Sequence, residues 1–187
     1  MRRRAYIRAA NNATQRSGGF SLIELLIVVA IILIIAAIAI PNLIRSRIAA
    51  NEAAAVENIR TITTASIAYN TTWDNGFPPT IQALGSVGSS TTATCDAAIL
   101  IDSNLATPPS HVSGYAFAYT GGDGNALQGQ GCSNPGFEGF LVTATPITEG
   151  LTGNRSFCAN EPSIIYFDTT GNTAASESAC VALPVLQ

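Results

Sequence analysis

Apolar residues fill positions 25–40 without a break, and only Ser21 and Glu24 interrupt the longer run that begins at Phe20. The 21 residues of 20–40, at about 1.5 Å each, extend roughly 31 Å, the thickness of a bilayer's hydrocarbon core. Ile and Val would favour strand in water. In lipid the backbone must satisfy its own hydrogen bonds, so the run predicts a membrane-spanning helix. Beyond Pro41 the pattern changes to one face: Ile48, Ala55, Ile59, Ile62, Ser66 and Tyr69 recur at steps of seven, four, three, four and three, a stripe suited to packing on a partner layer. Glu57 and Arg60 fall on the opposite, exposed side at pairing distance. The simplest reading is one long helix kinked at Pro41. It ends near Trp73, because Asp74-Asn75-Gly76 and Pro78-Pro79 are strong breakers.

After a short helical turn predicted at 80–84, the stretch 85–94 is small and polar and reads as loop. Strands are predicted at 113–120, 139–146 and 163–169, each rich in aromatic or β-branched residues and bounded by Gly, Asn or Asp. Their order favours an antiparallel meander with short connections. The striped half of the helix supplies its apolar cover. The fold class is therefore α+β, a long helix whose distal half packs on a small antiparallel sheet. Four segments follow: 1–19, a basic leader; 20–40, the membrane half-helix; 41–73, the amphipathic half-helix; and 74–187, a globular β-sheet head. Tyr69, Trp73 and Phe77 read as core around the helix end, not as a ligand or electron path.

Charge sharpens this division. All nine basic residues are Arg, and Arg2, Arg3, Arg4, Arg8 and Arg16 lie before residue 20. They should hold the N-terminus in the cytoplasm and place the head outside. Without residues 1–19 the chain keeps four Arg against twelve acids, a net charge of −8. Such a surface argues against nucleic-acid binding. Cys95, Cys132, Cys158 and Cys180 all lie in the C-terminal half, with no CxxC or His-containing metal pattern. An even count beyond a membrane segment favours two disulfides, with three pairings open.

No catalytic constellation stands out. Lysine is absent, the one histidine is His111 beside Pro108-Pro109, and there is neither a nucleophile elbow nor a phosphate loop. No cofactor or metal is expected. Asp123 and Asn125 in Gly121-Gly122-Asp123-Gly124-Asn125 are weak calcium candidates that a hairpin turn explains better. Asn70-Thr71-Thr72 and Asn154-Arg155-Ser156 fit the short glycosylation sequon.

The informative string is Gly18-Gly19-Phe20-Ser21-Leu22-Ile23-Glu24, followed by the apolar helix and Pro41. From Gly18 to about Tyr69 the chain resembles the type IV pilin family, including the pseudopilins of type II secretion. The resemblance implies a prepilin peptidase that removes the leader after Gly19 and N-methylates Phe20. At nineteen residues the leader is longer than is usual for pilins beginning with Phe. The family often staples a C-terminal loop, which implies Cys158 with Cys180; Cys95 with Cys132 is the companion expectation. Glu24 also stands out physically. An acid in lipid costs about 2.5–3.5 kcal/mol on insertion scales, and cleavage creates an α-amino cation four residues away with which a neighbouring copy's Glu24 can pair.

Function expected on these grounds is that of a structural subunit, a pilin that polymerises through its helix into a type IV pilus. The alternative is a pseudopilin forming a periplasmic piston. The family further implies an inner-membrane assembly platform with its ATPase and an outer-membrane secretin. The subunit would rest as a single-pass inner-membrane protein before joining an extracellular filament. Pro41 would let the helix bend or locally melt on that transfer.

Overall fold

A computed structural model describes residues 19–86, 92–122, 124, 129, 131–161 and 163–186. The leader therefore lies outside the described residues, apart from Gly19, as do the calcium candidates Asp123 and Asn125. The chain divides into two compact units, Met1–Pro41 and Asn42–Gln187, and helix α1 (Leu22–Trp73) contributes to both.

In the first unit the helix has no packing partner among the described residues. Its Leu, Ile and Val side chains are all exposed, from Leu22 at 81 % to Val29 at 46 %. Among the described residues α1 is the one helix long and apolar enough to cross a membrane, with a mean hydropathy of 3.3 in its most apolar window. Pro41 lies inside the helix; it has no N–H to donate to the preceding turn, and its ring crowds that turn's carbonyl.

Past Asn42 the helix acquires a buried face. Ile48, Ala55, Ile59, Ile62, Ser66 and Tyr69 are all buried, and so is Glu52. This stripe packs on a five-stranded antiparallel sheet of sequential order: β1 (Ser110–Val112), β2 (Tyr115–Gly121), β3 (Phe140–Pro146), β4 (Ser156–Asn160) and β5 (Ile165–Asp168). Tyr115 and Phe117 of β2, Phe140, Val142 and Ala144 of β3, Phe157 and Ala159 of β4, and Ile165 of β5 join Ala55, Ile59, Ile62 and Tyr69 in one core. The register explains this common face. Phe117 opposes Ala144, Ala144 opposes Phe157, Val142 opposes Ala159 and Ala159 opposes Ile165, so alternate residues of each strand turn to the helix.

On the sheet's reverse face a second cluster gathers Leu141, Cys158, Tyr166 and Cys180. It is closed by α2 (Glu177–Val181), which Ser176 caps through its hydroxyl to the Ala179 N–H. The tail then pairs along the outer edge of β5: Phe167 donates to Pro184 and Leu186 to Ile165.

Two strands and one connection differ from the sequence expectation. Strand β4 was not anticipated because all five of its residues are buried; covered on both faces, Ser156-Phe157-Cys158-Ala159-Asn160 shows no apolar–polar alternation. Strand β1 has three residues, too few to carry a periodic signal. The tight turn before β2 uses Ser113 and Gly114, both with positive φ, so that strand starts at Tyr115. The hairpin turn expected at 121–125 lies partly outside the described residues. The partner strand β3 begins only at Phe140, and the connection makes a separate bridge on the way, Phe77 with Phe137.

At the far end, α1 stops at Trp73 because Asp74 takes φ 48° and Gly76 φ 71°, ending the right-handed turn. Asn75 is fully buried and holds this exit together. Its amide nitrogen donates to the Tyr69 hydroxyl (3.3 Å) and to the Asn134 carbonyl (3.2 Å), and its oxygen accepts from the Gly129 N–H (2.5 Å). The Tyr69 hydroxyl donates in turn to the Cys95 carbonyl (2.8 Å). Tyr69, Trp73 and Phe77 are thus parts of the core and its rim.

Candidate assembly site at the helix start

The first turn of α1 is organised by two residues. The Leu25 N–H donates to the Ser21 carbonyl (3.2 Å), and the Glu24 carboxylate reaches back to accept the Ser21 N–H (2.9 Å). This is the acidic half of a capping box: one of the orphan donors of a helix start is satisfied by a side chain three residues on, and the negative charge sits at the positive end of the helix dipole. Phe20, one residue earlier, is 86 % exposed. Glu24 is the one charged side chain between Phe20 and Pro41. Its carboxylate therefore lies within the turn where a free amine on Phe20 would begin the chain.

The cysteines stand in two bonded pairs, Cys95 with Cys132 (Cα separation 5.5 Å) and Cys158 with Cys180 (6.0 Å). The first ties the loop that receives the Tyr69 hydroxyl to the β2–β3 connection. The second fastens α2 to the reverse face of β4.

A second site of charge, Glu52 with Arg155, was not singled out from the sequence. Glu52 occupies the stripe position between Ile48 and Ala55, where the spacing calls for an apolar residue, and its carboxylate accepts from Arg155 through Nε (2.8 Å) and Nη2 (2.6 Å). Its other oxygen accepts the N–H groups of Asn154 (3.0 Å) and Arg155 (3.3 Å). The guanidinium also lies over the Phe157 and Phe167 rings, 5.5 and 5.6 Å from their centroids. The signal was available: a gap of seven in an otherwise four–three stripe, filled by an acid, and a single cation among residues 61–187.

Burial pushes the hydroxyl pKa of Tyr69, Tyr115 and Tyr119 above the usual tyrosine range. In their neutral forms Tyr69 and Tyr115 donate to the Cys95 and Arg155 carbonyls, contacts that belong to the fold. No cluster of three or more potential metal ligands occurs among the described residues. His111 is exposed on β1.

Residues 14–40 match the family described as Prokaryotic N-terminal methylation motif. No curated protein and no solved structure matches the chain.

Proposed function

We propose that this chain, which carries the signature of type IV pilins and pseudopilins over residues 14–40, is a pilin that polymerises into an extracellular type IV pilus through α1. The observation that supports this most directly is the state of its first unit: a helix with apolar side chains exposed on every side and a single acid, Glu24, in its first turn. Such a surface must be covered, by lipid before assembly and by other helices afterwards. The signature indicates a structural protein rather than an enzyme, and implies prepilin peptidase processing and an assembly machinery.

In this reading the peptidase cuts between Gly19 and Phe20 and methylates the new Phe20 amine. Segment 20–40 is then the membrane anchor and later the filament core, 41–73 the scaffold of the head, and 74–187 the exposed surface. Glu24 of a docked subunit meets the Phe20 amine of its neighbour. Removing either charge leaves the other buried and unpaired, so the pair acts on docking and register more than on net stability. An inner-membrane platform with its ATPase would extract subunits, and an outer-membrane secretin would pass the filament. Pro41 would be the point at which the helix bends or melts on leaving lipid.

The second reading, a type II secretion pseudopilin, shares the N-terminal chemistry. The low-charge, Ser/Thr-rich surface and the two disulfides favour the exposed pilus. Imaging sheared surface filaments from a deletion strain tests the choice. Loss of filaments restored by the intact gene is the expected result; undiminished filaments with failed protein secretion would transfer the function to the pseudopilin.

A further inference from the structure

The cations of the head-bearing unit that meet no carboxylate among the described residues lie at one end. After residue 41 the chain has only Arg45, Arg47, Arg60 and Arg155. Arg155 is bound to Glu52 and Arg60 lies 3.7 Å from Glu57. Arg45 and Arg47 are exposed and meet no carboxylate among the described residues. At the other end of the same unit the charge is of the opposite sign. Asp74 follows the last turn of α1, Asp96 follows the Cys95 carbonyl that receives the Tyr69 hydroxyl, and Glu138 follows Phe137, which bridges Phe77. All three are exposed, and no arginine lies near them in sequence.

We propose that this segregation forms a heterologous contact between copies: the acidic end carrying Asp96 and Glu138 in one subunit docks on Arg45 and Arg47 of the next. The partner is a second copy of this chain, and the proposal rests on the polymeric reading above. Two considerations select it. Without residues 1–19 a subunit has a net charge of −8 and meets repulsion over most orientations of approach, to which its two unpaired arginines supply the attractive exception. Copies anchored through the same N-terminal helix stand parallel, so an antiparallel two-fold, which would also pair acid with arginine, is not open to them. A head-to-tail contact sets unlike charges together, and unlike a two-fold it propagates into an open filament. Arg47 and Asp74 are 27 residues apart on the helix path, so the contacting copies are displaced along the axis by about 40 Å at 1.5 Å per residue.

Three variants, expressed beside the wild-type chain, test this: R45E/R47E, D96R/E138R, and the fourfold combination. Sheared filament yield is read against the amount of disulfide-intact precursor in the membrane fraction, which controls for folding. The expected result is a fall of about tenfold in each double variant, with recovery in the fourfold variant, whose ends are again complementary. Wild-type yield in either double variant, or no recovery in the fourfold, overturns the contact while leaving the polymeric reading intact. Loss of precursor from the membrane in R45E/R47E and the fourfold alike would assign the two arginines to anionic lipid instead. A wild-type chain that forms no filament at all would remove the polymeric reading and this contact with it.

Discussion

Glu52 of the helix and Arg155 of the β3–β4 connection are joined at 2.6 Å across 103 residues of chain, and the same carboxylate caps the N–H groups of Asn154 and Arg155. One side chain thus neutralises a cation and satisfies two backbone donors. Asn51 adds to it from the next position, donating to the Thr152 carbonyl (2.8 Å). The connection is thereby sewn to the helix at two successive residues.

Breaking the pair should therefore cost more than a surface ion pair. Glu52→Ala leaves Arg155 and two N–H groups without their acceptor, and with Arg155 40 % exposed the loss is about 2–3 kcal/mol, below the fully buried range. Denaturant unfolding of the detergent-solubilised chain measures it. Glu57→Ala, which removes only the exposed Arg60 partner, should change stability by less than about 1 kcal/mol; equal effects would show that the Glu52 network adds nothing.

Ile59 and Ile62 are fully buried between helix and sheet. Truncating either to Ala should destabilise the head by about 2–5 kcal/mol, while Ile67→Ala on the exposed side, 43 % accessible, should cost far less. A comparison of unfolding midpoints decides whether the stripe is the structural seam.

Replacing Cys158 and Cys180 together with Ser should cost about 3 kcal/mol on the loop-entropy account. Residues 177–186 should become the first part of the head to exchange amide hydrogens, with protection of α1 unchanged. Loss of protection in the helix first would contradict the placement of that bridge on the reverse face.

Tyr69, Tyr115 and Tyr119 supply a pH dependence. Burial is the largest cause of their raised values; at Tyr115 the Glu52 charge adds to it and Arg155 opposes it. With the folded value above the unfolded one near 10, their contribution is complete below pH 10 and is lost as pH rises beyond it, because the unfolded chain ionises first. Tyrosinate absorbance should appear together with the loss of near-ultraviolet dichroism. Tyrosinate formation in a chain with intact dichroism would refute the coupling.

Glu24→Ala should leave membrane insertion intact or improved, since an acid in lipid is costly, yet reduce incorporation into filaments when co-expressed with the wild type. Equal incorporation of both would remove Glu24 from docking.

The long helix and its packing stripe were legible because both rest on periodicity over many residues: an unbroken apolar run before Pro41, and a four–three repeat to Tyr69 after it. Strands β2, β3 and β5 were legible through their aromatic and β-branched content. What escaped notice depended on neighbours far away in sequence. Strand β4 is buried on both faces only because α2 and the tail return to cover it. Glu52 sits in an apolar slot only because Arg155 arrives 103 residues later. The acid of the first turn was legible as a cost in lipid, but its bond to the Ser21 N–H is a matter of local geometry that composition does not reveal.

The tail that pairs along β5 also sets a limit on how this molecule can associate. With residues 184–186 hydrogen-bonded to that edge, the sheet's unpaired margin among the described residues is β1, three residues long and preceded by Pro108-Pro109, a poor template for further strands. Amyloid-like stacking of heads is disfavoured at both margins. A crowded array of these domains can remain in register without its sheets fusing.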